Sequence, residues 1–436
     1  MWQLFKKQSI FISLTFVIVF LTACGMNEKN PDVDDENKKM PIPANPQFQP
    51  ESPPQPKPES IPQETPLNLK TEPAEQILSP EISTRPDSLE AKIGQMLLVG
   101  FRGMSVRERG VKQIIQNIQQ FHLGGVILFD YDIVLKSSRR NIKSPRQVKS
   151  LVKQLQAASQ IPLFIAIDQE GGKVKRLKEK FGFPRTVSAQ YLGKKNNVAL
   201  TYQQASQMAK TLANLGINFN FAPVVDLNIN PNNPVIGKLE RSFSAYPQTV
   251  TKHALEFIKA HHAYGVLCSL KHFPGHGSST RDSHLGMVDV TDTWNEAELE
   301  PYQKIINADK MGIVDSIMIA HIFNRRFDPD YPATLSKRIV TGLLRQKLEY
   351  DGVIVSDDMQ MKAITSHYRF EVAIQKTLEA GIDIIVIGNN LKYEPDIVTR
   401  TVGIIKQLIQ AGKITEARIE ESYQRIQQLK SQFQTN

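Results

Sequence analysis

Between residues 271 and 284 the chain reads Lys-His-Phe-Pro-Gly-His-Gly-Ser-Ser-Thr-Arg-Asp-Ser-His. Asp282 and His284 stand two apart, so in extended backbone they share one side. A carboxylate beside an imidazole can fix its tautomer and raise its pKa, which lets His284 deliver a proton near neutral pH. Taken alone, the same residues also fit a metal site or a solvated loop with an incidental Asp-X-His. The glycines and serines of the segment predict a mobile loop. A second candidate group lies at Asp357-Asp358, where an apolar run ends in two carboxylates.

These residues need a scaffold, and the hydropathy pattern supplies one. Eight apolar runs are expected as strands: Met96–Phe101, Gly124–Asp130, Leu163–Gln169, Phe219–Asp226, Val266–Phe273, Ser316–Ile322, Gly352–Asp358 and Asp383–Asn389. Most are near-continuous rather than alternating, as in strands buried on both faces of a parallel sheet. Amphipathic stretches separate them, among them Pro145–Ala158, Ala199–Leu215, Pro247–Tyr264 and Leu335–Leu348. Ser144 before Pro145 is a helix start signal. The alternation predicts an α/β fold, and eight strands favour a closed (β/α)8 TIM barrel of about 250 residues plus long loops. The strand ends carry Asp130, Asp168, Asp226, Lys271-His272, His321, Asp357-Asp358 and Asn389. In a barrel these ends converge on one face. Helix capping explains one such residue, such as Asn389 or Asp358. It does not explain seven polar endings of eight.

Composition narrows the function classes. The chain has 436 residues, 41% hydrophobic and 22% charged, with a net charge of +9. Basic residues form no long block and do not interleave with aromatics, so a nucleic-acid partner has no support. Of the two cysteines, Cys268 sits in an apolar run and reads as a buried thiol. There is no CxxC or HExxH spacing, and neither a metal nor a cofactor is expected. Residues 1–24 combine Lys6-Lys7, an apolar core from Ile10 to Leu21, and Leu21-Thr22-Ala23-Cys24. The core is too short for a comfortable membrane span and fits a signal peptide. Its end resembles a bacterial lipoprotein box, which implies lipid on Cys24 and an extracytoplasmic, membrane-anchored protein. Residues 25–87 hold 14 of the 26 prolines and predict a disordered spacer. The catalytic domain is then expected over residues 88–436, as a monomer.

Several segments, in order along the barrel, resemble glycoside hydrolase family 3, in its bacterial β-N-acetylhexosaminidase branch. They are Ile167-Asp168-Gln169-Glu170-Gly171-Gly172, Phe221–Asp226, Glu240-Arg241-Ser242-Phe243, Lys271–His284, Ser316–His321, Pro332–Ser336 and Gly352–Met359. The resemblance implies that Asp357 is the nucleophile of a retaining mechanism, His284 the general acid/base and Asp282 its orienting partner. It also implies sugar binding by Asp168, Arg176, Arg241, Lys271 and His272, with Asp226 and His321 behind them. The carbohydrate expected is a terminal β-linked N-acetylhexosamine of peptidoglycan fragments. A transferase or phosphorylase of the same family, or a β-glucosidase, is the alternative. Asp130-Tyr131-Asp132 and Lys136–Arg140 form a longer loop than the pattern leads one to expect, which leaves the leaving group open.

Overall fold

The computed structural model describes residues 86–308 and 312–432. The expected signal peptide, Cys24 and the spacer, but for its last two residues, lie outside the described residues. Among the described residues there are ten strands: β1 (Leu97–Gly100), β2 (Gly125–Leu128), β3 (Phe164–Ile167), β4 (Phe219–Asn220), β5 (Leu267–Phe273), β6 (Val288–Asp289), β7 (Ser316–Ile319), β8 (Ile322–Phe323), β9 (Val353–Ser356) and β10 (Ile385–Ile387). Eight of them pair in the order β10-β1-β2-β3-β4-β5-β7-β9, every pair parallel. A parallel bridge from Val355 to Ile384 joins β9 to the start of β10 and closes the ring. The fold is the expected (β/α)8 barrel. The remaining two, β6 and β8, form a separate two-stranded parallel ribbon.

Each expected strand is present but shorter; in most of them the polar end leaves the ladder to face the mouth, whereas β5 keeps Lys271 and His272 within it. The largest loss is in β4. Pro223 has no N–H to give to the ladder, and pairing with β5 returns only at a bridge from Val224 to Lys271. At the β10–β1 seam the backbones touch: a Cβ on Gly100 would lie 1.9 Å from the Gly388 carbonyl oxygen.

The helices pack apolar stripes around this ring. In Pro145–Ala157 the buried residues are Val148, Leu151, Val152 and Leu155, a helical face, and Ser144 Oγ accepts from Gln147 N at 3.3 Å as the expected cap. The helix Val198–Leu215 starts at an Asn197 cap and stops at Gly216, whose φ of +79° suits glycine. The stretch expected as one helix over Leu335–Leu348 divides instead into a 3-10 turn, Ala333–Leu335, and a π-wound helix, Arg338–Lys347. Cys268 is buried, and burial pushes its thiol far up in pKa, so it is inert.

Candidate active site

The carboxyl ends of the barrel strands open into a cavity of about 540 Å³. Asp168, Arg176, Arg241, Lys271, His272, Asp282, His284 and Asp357 all line it. Every site residue expected within the described part of the chain is therefore gathered in one place.

Asp168 lies just past β3, and Lys271 and His272 stand near the end of β5. Lys271 Nζ reaches Asp168 Oδ1 at 2.8 Å and Glu170 Oε1 at 2.7 Å. Arg176 Nη2 donates to Asp168 Oδ2 at 3.1 Å. Arg241 grips Glu170 with two bonds, Nε to Oε2 at 2.7 Å and Nη2 to Oε1 at 2.8 Å. Burial alone would raise the pKa of both carboxyls. The cations outweigh it: Lys271 and Arg176 hold Asp168 far below its ordinary value, and Arg241 and Lys271 hold Glu170 at about 2. The cradle is thus fully ionised at neutral pH. It presents fixed donors and acceptors, as a ring of sugar hydroxyls requires.

His272 is held from behind. Its Nδ1–H donates to Asp226 Oδ2 at 2.7 Å, and its backbone N–H also meets that carboxylate. The Arg241 guanidinium lies 3.2 Å from Nε2, so the two edges of the ring are fixed. Asp226 also accepts from the backbone N–H of His276 at 2.8 Å. It stands behind the sugar-binding residues, as the resemblance implies. His321 has the same kind of role under the nucleophile: Nε2 donates to the carbonyl of Asp358 at 3.0 Å, and Nδ1 lies 2.7 Å from Thr334 Oγ1.

Asp357 follows β9. Its Oδ1 accepts from the Asp358 backbone N–H at 2.8 Å. Burial opposes ionisation, but the nearby His321, His272 and His284 outweigh it and hold its pKa below the ordinary value. The neighbouring carboxyl behaves in the opposite way. Asp358 Oδ1 accepts from Gly388 N at 2.8 Å and from Gln360 N at 3.1 Å, tying the turn after β9 to β10. Burial, reinforced by the Asp357 charge, pushes it up to about 6. One carboxylate is left exposed to chemistry and the other is used as a tie.

The segment after β5 is not one mobile loop. Residues 271–279 are all buried. Asn233 Nδ2 binds the carbonyls of His276 and Gly277 and the Ser279 hydroxyl, and Glu298 Oε2 accepts from Gly277 N at 2.8 Å. Gly275, at φ +122°, packs so tightly that a Cβ would lie 2.5 Å from that of Glu298. The expectation of mobility overlooked these anchors, which come from distant parts of the chain. Only Thr280–Met287 projects, before Val288 enters β6. In this arm His284 Nδ1 donates to Asp282 Oδ1 at 2.8 Å, and the His284 side chain is 53% exposed. Burial opposes protonation of His284. The Asp282 bond and the charges of Asp357 and Asp282 outweigh it and raise its pKa. With Nδ1 engaged by Asp282, Nε2 is the edge turned to proton exchange.

Three contributors escaped the sequence reading. Glu170 is two residues beyond Asp168, and that in-phase spacing was the available signal. His276 is buried against the arm, and nothing local distinguishes it from a loop histidine. Glu298 is far along the chain and carried no signal. Among the described residues no group of three or more His, Cys, Asp or Glu side chains is arranged to hold a metal ion.

A closed parallel barrel with ionised carboxylates, cations and imidazoles gathered at one mouth is the architecture of a barrel enzyme. The chain belongs to glycosyl hydrolase family 3, whose N-terminal domain matches residues 88–429. It is 36% identical over 385 residues to beta-hexosaminidase A of Pseudoalteromonas piscicida, covering 80% of this chain and 62% of that protein. It is 31% identical to beta-hexosaminidase LpqI of Mycobacterium tuberculosis, covering 78% of this chain and 82% of the relative. Among solved structures, a family 3 beta-N-acetylglucosaminidase from Paenibacillus sp. superposes with a TM-score of 0.71 at 34% identity, covering 80% of this chain and 63% of that one. The chain thus spans less than two thirds of the first of these relatives and of that structure. A beta-N-acetylhexosaminidase from Beutenbergia cavernae gives 0.69 at 29% identity, covering 79% and 98%.

Proposed function

We propose that this chain is a retaining, exo-acting β-N-acetylhexosaminidase that removes terminal N-acetylglucosamine from wall-derived fragments. The observation that carries the reading is a pair of opposites on one cavity. Asp357 is kept ionised, while His284 is kept protonatable by Asp282. An Asp357 carboxylate oxygen bonds to the anomeric carbon as the bond to the leaving oxygen breaks, and the proton on His284 Nε2 passes to that oxygen. Water then attacks the same carbon, gives its proton to His284, and frees Asp357. A single imidazole, its pKa raised by Asp282 and the Asp357 charge, serves both steps. Asp168, Arg176, Arg241, Lys271 and His272 hold the sugar. The names of the hexosaminidase relatives support the N-acetyl sugar over glucose.

The test is release of nitrophenol from the β-N-acetylglucosaminide and from the β-glucoside. The N-acetyl sugar should be strongly preferred, and Asp357→Ala should lose several orders of magnitude in kcat; equal or greater glucoside activity would sink the assignment. Tethering through lipid on Cys24 belongs to the same proposal, supported by the basic flank, apolar core and terminal cysteine of residues 1–24. It requires Cys24→Ala to move the protein from the membrane to the soluble fraction, and an unchanged distribution would remove it.

A further inference from the structure

The chain's positive charge is concentrated in one sector of the barrel. Residues 101–160 carry eleven Lys and Arg against three Asp and Glu, which is +8 of the whole chain's +9. Two of the three acids, Asp130 and Asp132, are buried, and only Glu108 is exposed. The sector's ion pairs join Arg102 and Arg140 to Asp132, and Lys178 to Asp130. Arg107, Arg109, Lys136, Arg139, Lys143 and Arg146 take no part in them and are all exposed. Two helices start here, Arg109–Phe121 and Pro145–Ala157, and neither has an acid in its first turn. Arg109 and Arg146 stand there instead, at the positive end of the helix dipole, where a cation is unfavourable. Charges kept against a local rule point to a use outside the fold.

The six cations are carried on one tied surface. Gly103 N donates to Arg140 O, and Asn141 Nδ2 to Phe101 O and Gly103 O, each at 3.1 Å, which joins the loops after β1 and β2. Gln147 Nε2, in the first turn of the second helix, reaches Met104 O at 3.0 Å. A rigid hairpin projects from this platform. Asp132 and Ser137 pair antiparallel, and buried Asp132 receives Arg140 Nη1 and Arg102 Nε, each at 2.6 Å. The hairpin tip carries Val134 and Leu135, 49 and 62% exposed, followed by exposed Lys136. Tyr131 and Ile133 line the catalytic cavity, whereas Val134, Leu135 and Lys136 lie outside its wall.

We propose that this rim is a docking face for a bilayer rich in anionic phospholipid. The cations meet the headgroups, and Val134-Leu135 enters the boundary between headgroups and acyl chains. Binding of this kind adds electrostatic attraction to apolar burial. An anionic polymer in water would use the cations and leave the aliphatic tip without a partner; a bilayer engages both. The acid/base arm follows β5, three strands round the ring from β2, and stays clear of the docked rim. The inference goes beyond a tether at Cys24: lipid there holds the chain near a membrane, and this face sets how the mouth is turned.

The experiment uses the full chain with Cys24→Ala, so that docking is read without the lipid. Phosphatidylcholine vesicles report whatever the apolar N-terminal segment contributes. Sedimentation should favour phosphatidylglycerol vesicles, and the preference should weaken with salt. Arg109→Gln/Lys143→Gln/Arg146→Gln should lower it roughly 100-fold, about fivefold for each cation removed. A polarity-sensitive dye on Leu135→Cys has one reactive target, since Cys268 is buried. Its emission should shift to the blue on phosphatidylglycerol and not on phosphatidylcholine. The same dye on Tyr246→Cys, 74% exposed before the helix Pro247–His262, should not shift. No shift at position 135, an equal shift at both positions, or a triple variant that binds like its parent overturns the proposal. So does a dye at 135 that stays in water while poly(glycerol phosphate) competes for the cations, which would make the face a wall-polymer site. If the triple variant does not fold, Val134→Ser/Leu135→Ser keeps the test open. It should lower binding roughly tenfold while aryl glycoside hydrolysis in solution stays within about twofold. Docking is read without turnover, so failure on N-acetylglucosaminides leaves this proposal standing, and loss of docking leaves the functional reading standing.

Discussion

Ser283 lies between the two residues of the acid/base pair, and it is the one buried point of that triplet. His276 Nε2 is 3.2 Å from its hydroxyl, while its carbonyl accepts from Ala363 N at 3.2 Å. Burial and the His272 charge push His276 down to about 4, so at neutral pH its ring is uncharged and its contact with Ser283 is a neutral hydrogen bond. Such a bond contributes roughly 0.5–1.5 kcal/mol. At about 1.4 kcal/mol per factor of ten, Ser283→Ala shifts the ratio of docked to undocked arm by roughly 2- to 10-fold. The loss should show only where a proton must be delivered. For a substrate with a poor leaving group kcat/KM falls by up to that factor. For a dinitrophenyl glycoside, whose departure needs little protonation, kcat/KM is unchanged. Its kcat still falls, because the second step needs His284 as base, and added azide restores it by attacking without base help. Ser283→Thr, which keeps a hydroxyl, should recover most of the loss. If Ser283→Ala lowers kcat/KM equally for both leaving groups, the damage lies in the sugar cradle, and the clasp has no part in proton transfer.

The remaining expectations concern pH. In Asp282→Asn the charge that raises His284 is removed and its hydrogen bond weakened, so the alkaline limb of the kcat/KM profile should move to lower pH; an unmoved limb would separate the limb from His284. Glu298 is buried, and burial, with the Asp226 charge, pushes its carboxyl up to about 7 from the ordinary 4.5. Below pH 4.5 it is protonated folded or unfolded and costs nothing. Between 4.5 and 7 the unfolded chain ionises first, so stability falls as pH rises, by on the order of 3 kcal/mol in all, and the loss is complete above 7. Glu298→Gln should therefore flatten the dependence of Tm on pH across that window, and a slope identical to the parent's would place the titration elsewhere.

Sequence and structure agree where the physics is local or periodic. Continuous apolar runs must be buried on both faces, which is why all eight barrel strands were readable, and polar residues at their ends had one mouth to face. The same logic made Asp168, Lys271, His272 and Asp357 legible. Strand length was less so, since β4 ends at Asn220 and its pairing with β5 resumes only at Val224, beyond Pro223, which depends on which neighbour needed each bond. The least legible part is the segment after β5. Its glycines and serines describe a flexible chain, and they are flexible only in isolation. Asn233, Asp226 and Glu298 arrive from other loops and bind it up to Ser279.

That division bears on how an acid/base can be both mobile and placed. A catalytic proton donor has to admit the substrate and then hold its position to a fraction of an ångström. Here the first requirement falls on Thr280–Met287, which between a pinned β5 end and the β6 ribbon is buried only at Ser283. The second falls on Ser283, held by His276 at its hydroxyl and by Ala363 N at its carbonyl. His276 is itself bonded through its backbone to Asp226, which also orients His272 in the sugar cradle. The arm is thus referenced to the same carboxylate as the sugar-binding imidazole. Stiffening should therefore be attempted at Thr280–Arg281, outside the pinned residues, where a proline would slow docking of the arm and lower turnover while leaving the affinity for a cradle-bound sugar untouched.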